Sequence, residues 1–195
     1  GSPVLGSAEG TSGTSADGTI TQTRDSLNEF SFDYTLQDDD DFVFSQIGWG
    51  YFQDSDDDGI PDEPRVFIGA PADLGSAVTL AASGPAARRL KVEVVDFMGR
   101  VTDFFLKLTG SKQNYTLSLL GDHLPQGFDA TKIAFINLVS DLKEMGASGH
   151  VALEVKGLDW IPEVTGSAYN SASISLLPGS PVLGSAEGTS GTSAD

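Results

Sequence analysis

The sequence predicts an all-β protein built as an antiparallel two-sheet β-sandwich. Three observations carry that expectation. Apolar and polar residues alternate at period two in several short runs, and Gly, Pro, Asn and Asp turn signals separate those runs. A hydrophobic content of 39% with 11 Phe supplies a core for one domain of 195 residues.

In chain order, the clearest strand is EFSFDYTLQ at 29–37. There Phe30, Phe32, Tyr34 and Leu36 alternate with Ser31, Asp33 and Thr35 and so share one face. FVFSQI at 42–47, RVFI at 65–68 and AVTLAA at 77–82 are further runs of strand length. LKVEVV at 90–95 sets Leu90, Val92 and Val94 inward, with Lys91 and Glu93 outward. FFLKL at 104–108, YTLSLL at 115–120, VALEV at 151–155 and ISLL at 174–177 complete the series. Its breaks include SGP at 83–85, MGR at 98–100 and GDHLPQG at 121–127. DATKIAFINLVSDLKEMG at 129–146 admits two readings. One is a helix capped by Asp129 with Phe135, Leu138, Val139 and Leu142 on one side; the other is a buried strand, KIAFINLV, followed by a loop. Periodicity does not separate them.

The ends of the chain are identical. Residues 1–17 and 179–195 both read GSPVLGSAEGTSGTSAD, an offset of 179 − 1 = 178 residues. A repeat of that length matches a whole domain, so the chain reads as one period of a tandem array plus the opening of the next. The same linker fused at both ends would give the same pattern. Its Gly, Ser, Thr and Ala content suggests a connector. The expected division is a linker at 1–17, a sandwich at 18–178 and a repeated linker at 179–195.

Charge and composition narrow the function. The 28 acidic residues outnumber the 11 basic ones, for a net charge of -17, which repels a nucleic-acid backbone. Without cysteine there is no disulfide, thiolate metal site or cysteine nucleophile. No apolar run approaches the ~20 residues of a membrane-spanning helix, so insertion is not expected. His123 and His150 sit in turns without a triad pattern, and GTSGTS lacks the Lys of a phosphate loop, so the chain does not read as an enzyme.

Ten of the acidic residues lie within 38–63, a stretch with no Lys or Arg. Its second half, DSDDDGIPDE at 54–63, spaces carboxylates as a calcium loop does. Asp54, Asp56 and Asp58 fall at loop positions 1, 3 and 5, Gly59 makes the turn, the Ile60 carbonyl falls at position 7 and Asp62 at position 9. Position 12 is Arg65 where a bidentate Glu is usual, so either Glu63, Asp57 or a distant carboxylate completes the shell or the site is weak. Asp38 to Asp41 lack that spacing and read as a hairpin loop or a contributor to a second ion. Beside this block, IGWGYF at 47–52 puts Trp49 and Tyr51 on one face if it is a strand, a possible platform for a sugar ring; the alternative is that Trp49 packs in the core.

Two family resemblances follow from these motifs. DSDDDGIPDE resembles the calcium loops of thrombospondin type 3 repeats. From about residue 66, the order of LKVEVVD, the Asp96 to Gly99 hairpin and the run Phe128, Asp129, Lys132, Ile133 and Ile136 resembles the jelly-roll sandwich of galactose-binding-like domains, many of them carbohydrate-binding modules. That resemblance implies a jelly roll and favours the strand at 129–146. The resulting expectation is a non-catalytic, calcium-binding repeat of a large secreted or cell-surface bacterial protein, structural or adhesive, with identical repeats as neighbours. The alternatives are a lectin-like module using Trp49 and Tyr51 on glycans, and a filament subunit joined through the duplicated segment.

Overall fold

The computed structural model describes residues 4–11, 18–25, 29–38, 41–56 and 61–156. Their strands are β1 (Val4–Thr11), β2 (Thr19–Arg24), β3 (Glu29–Thr35), β4 (Asp41–Gly48), β5 (Gly50–Phe52), β6 (Phe67–Gly69), β7 (Ala77–Ser83), β8 (Arg89–Asp96), β9 (Val101–Lys107), β10 (Gln113–Ser118), β11 (Ile133–Asp141) and β12 (Ser148–Val155). A single helical turn, α1 (Leu142–Met145), follows β11.

Two five-stranded antiparallel sheets face each other, in the orders β1-β4-β11-β8-β9 and β10-β7-β12-β3-β2. The pairings are nested: β3 joins β12, β4 joins β11, β7 joins β10 and β8 joins β9. This winding of a long folded hairpin across two sheets is a jelly roll, so the predicted fold class holds. β5 and β6 form a separate two-stranded hairpin.

Alternation explains the core. Phe30, Phe32 and Tyr34 of β3 are buried together with Leu80 of β7, Leu90, Val92 and Val94 of β8, and Val151, Leu153 and Val155 of β12. The ambiguous segment resolves as β11, a central strand buried on both faces, which is why no alternation marks it. The helix cap is Asp141, whose Oδ1 accepts the Glu144 amide at 2.8 Å, and not Asp129. Asp129 instead accepts the Thr131 hydroxyl at 2.6 Å.

Residues 4–11 correct the connector reading. Composition suggested a linker, yet these eight residues pair with β4 along its whole length, from Val4↔Gly48 to Thr11↔Asp41. ISLL at 174–177, the second copy at 179–195 and Trp160 lie outside the described residues.

The Asp96 to Gly99 turn joins the end of β8 to the start of β9. Asp96 is fully buried, and its Oδ1 accepts the amides of Met98 and Arg100, both at 2.9 Å. Gly99 has φ +79°, a left-handed conformation that favours glycine.

Candidate functional site

The acidic loop connects β5 to β6 beyond the Phe52–Phe67 pair. Gln53 N–H donates to the Val66 carbonyl and Asp62 N–H to the Gln53 carbonyl, both at 2.8 Å, drawing the loop's two ends together. Carboxylate oxygens of Asp54, Asp56 and Asp62 then converge within 4.8 Å of one another. Ser55 fixes one arm: its amide and hydroxyl both donate to Asp62 Oδ1, at 3.0 and 3.1 Å. Three like charges this close repel one another, and hard oxygen donors in this arrangement fit a hard divalent cation. Asp58 and Ile60, the other expected ligands, lie outside the described residues, as do Asp57 and Gly59.

Glu63 is 75% exposed along its side chain and faces Arg65, 3.4 Å from its Nε. Arg65, the departure at loop position 12, spans other elements: its guanidinium lies 5.6 Å from the Phe52 ring centre and donates to the Gly99 carbonyl at 3.5 Å.

The hairpin is seated on the outward face of the first sheet. Phe52, Phe67 and Phe135 form a triangle of edge-on rings with centres 5.6, 5.7 and 5.8 Å apart. Val95 and Ala134 complete this small cluster. Gly50 sits where the two strands nearly touch; a Cβ there would lie 2.2 Å from the Ile68 carbonyl oxygen. Gly50 therefore serves close backbone approach.

The structure overturns the proposed aromatic platform. Trp49 is fully buried in the main core, while Tyr51 is 37% exposed. The chain leaves the first sheet after Gly48, with the Trp49 amide donating to the Ala134 carbonyl at 3.0 Å. The two side chains do not share a face because 47–52 is not one continuous strand. Trp49 offers no surface on which a ring can stack.

A different surface emerges from strand register on that same outward face. Three rows cross β9, β8, β11 and β4 in line. The middle row is Asp103, Glu93, Asn137 and Gln46; the flanking rows are Phe105, Lys91, Val139, Phe44 and Val101, Val95, Phe135, Gly48. Asn137 is held from both sides: Gln46 Nε2 donates to its Oδ1 at 3.0 Å, and its Nδ2 donates to Glu93 Oε2 at 3.2 Å. One Nδ2 hydrogen and one Oδ1 lone pair are left. Lys91 Nζ bridges Glu93 at 3.0 Å and Asp103 at 3.5 Å. Burial lowers the Lys91 pKa, but hydrogen bonds and attraction from Glu93 and Asp103 outweigh it and the net shift is upward. Phe105 is 49% exposed, with the Arg89 guanidinium 5.2 Å from its ring centre. Arg89 is itself fixed by two 2.6 Å hydrogen bonds to Glu144.

Alternation in LKVEVV already put Lys91 and Glu93 outward, but Asn137 could not be placed while its segment was read two ways. Among the described residues the histidines form no dyad with a hydroxyl. His123 Nε2 lies 2.9 Å from the Ser118 carbonyl oxygen, and His150 Nδ1 lies 2.9 Å from the Asp33 carboxylate. No helix among the described residues is long and apolar enough to cross a membrane.

No family model and no curated protein matches the chain. Solved structures of similar shape include a family 11 carbohydrate-binding module from Clostridium thermocellum in complex with a β-1,3-1,4-mixed-linked tetrasaccharide. It is 12% identical over 80% of this chain and 91% of that one, with a TM-score of 0.47. A family 30 carbohydrate-binding module is 13% identical over 91% and 93%, also with a TM-score of 0.47. An exo-β-agarase matches 64% of this chain with 20% of its own length, at 12% identity and a TM-score of 0.41.

Proposed function

We propose that this chain is a non-catalytic carbohydrate-binding module whose glycan surface is the outward face of β9, β8, β11 and β4. The observation that carries this reading is the row Asp103–Glu93–Asn137–Gln46 lying beside the exposed ring of Phe105. A pyranose presents an apolar face and a rim of hydroxyls. The ring of Phe105 suits the first, and Asp103, Asn137 and Lys91 suit the second. Glu93 and Gln46 are nearly buried and hold the Asn137 amide in place, so orienting it costs little on binding. A single such site is weak, and tandem copies would strengthen binding by avidity.

The test is a glycan array probed with the full chain and with F105A and N137A. Binding by the parent chain that both variants lose supports the reading. Binding that survives both substitutions, or no binding by the parent, rejects it.

A second reading rests on the convergence of Asp54, Asp56 and Asp62. In it the chain is a calcium-stabilised structural or adhesive repeat of a secreted surface protein. Asp58, the Ile60 carbonyl and Glu63 are then the remaining candidate ligands. Both readings can hold together, because the acidic loop closes the hairpin whose Phe52 and Phe67 pack beside the proposed glycan face.

A further inference from the structure

The most informative sequence feature, the duplicated segment, acquires a physical meaning from β1. Residues 4–11 are a strand of the first sheet, paired with β4 over eight positions in unbroken register. Residues 182–189 have the same sequence, VLGSAEGT. What β4 accepts as residues 4–11 it accepts equally as residues 182–189, since backbone hydrogen bonding and side-chain pattern are the same. Each sandwich has one such place beside β4, and each chain carries two segments that fit it.

We propose that residues 182–189 are a donated strand, and that they pair with Asp41–Gly48 of a second copy of this sandwich from Val182 opposite Gly48 to Thr189 opposite Asp41. On its own chain the place is filled by residues 4–11, tethered to β2 through only the short span 12–18. That short tether gives the first copy the higher effective concentration at home. The second copy is therefore the spare, and its fitting partner is another sandwich at the moment its own first strand is released. This is strand exchange: β4 lies between β1 and β11 and becomes the sheet edge only when β1 leaves, after which the main chain of the incoming strand supplies affinity.

The absence of cysteine makes the test clean. Ser45 stands opposite Ser7 in the register, so its equivalent in the second copy is Ser185. Facing residues of an antiparallel pair have Cα atoms about 4.5–5.5 Å apart, within reach of a disulfide. Two full-length chains, one S45C and the other S185C, are mixed under mild oxidation. The expected result is a mixed disulfide dimer. It should be lost when S185C is replaced by T189C, four residues and about 13 Å out of register, and suppressed by excess free peptide of residues 179–195.

A chain carrying both S7C and S45C closes internally and shows that the register permits the bond. No mixed dimer despite that closure overturns the proposal. Equal cross-linking by T189C overturns it as nonspecific collision. A single S45C/S185C chain that closes on itself, with no dimer from the mixture, overturns it in favour of capture by its own sheet.

Discussion

Asp96 Oδ2, at the end of β8, accepts the backbone amide of Asp129 at 3.0 Å, joining two turns 33 residues apart in the chain. The same oxygen lies 3.2 Å from Arg100 Nη1, and the carboxylate is fully buried. D96A would leave the Met98, Arg100 and Asp129 amides without their acceptor and the Arg100 guanidinium without its partner. A loss of about 3–5 kcal/mol is expected, read as the shift in urea midpoint at constant slope. A loss below about 1 kcal/mol, the size of one ordinary hydrogen bond, would mean these turns are held by something else.

Calcium should raise the melting temperature of the full chain. At a concentration a hundred times the dissociation constant the stabilisation is about 2.7 kcal/mol. D56A should abolish that increment while leaving the melt in chelator unchanged or slightly higher, because a repelling charge is gone. Differential scanning fluorimetry in calcium and in EDTA checks both halves. An undiminished calcium shift in D56A would remove Asp56 from the ligand set.

Hairpin seating would couple a cation in the acidic loop to the proposed glycan face. If glycan binding is found, chelation should weaken it several-fold, since a loosened β5–β6 hairpin no longer packs against Phe135 in the row next to Asn137. Titration calorimetry with and without EDTA measures this. Equal affinity in the two buffers would show that the face stands without the loop.

Alkaline pH should destabilise the fold through Tyr34. Its hydroxyl donates to the Met145 carbonyl at 2.7 Å, and burial pushes its pKa up from 10.0 to about 12. Below pH 10 the phenol is neutral in both states and its contribution is complete. As pH rises from 10 towards 12, the unfolded chain ionises while the folded one resists, and stability falls. Y34F should lose about 1 kcal/mol near neutrality from the missing hydrogen bond and show a shallower decline above pH 10. Chemical unfolding at a series of pH values gives both quantities. An equally steep decline in Y34F would assign the alkaline limb to other groups.

Much of the sandwich was legible because polar residues alternate with apolar ones along its strands. EFSFDYTLQ and LKVEVV announce themselves by alternation, and each became a strand with the expected residues inward. β11 was ambiguous for the opposite reason: buried on both faces, it loses the period that distinguishes strand from helix. β1 was misread because VLGSAEGT carries only two large apolar residues; its place comes from backbone pairing with β4, which composition does not encode. In the site, Asp54, Asp56 and Asp62 lie close in the sequence, and the carboxylates so spaced converge in the structure. Of the two readings of Trp49, the core one holds, because the strand ends one residue before it and the platform with Tyr51 does not form. Asp103, Glu93, Asn137 and Gln46 belong to four strands, and only register puts them in line.

A pull delivered through β1 and β12 would meet unequal resistance. β12 is hydrogen-bonded on both sides, to β3 and β7, whereas among the described residues β1 is hydrogen-bonded on one side only, to β4. Under tension the first strand would let go before the nested sheets, releasing about 27 Å of chain at ~3.4 Å per residue. Units in series would each lengthen by that step and re-form it when the load falls. The edge strand makes such a tether extensible, with the body of each sandwich left intact.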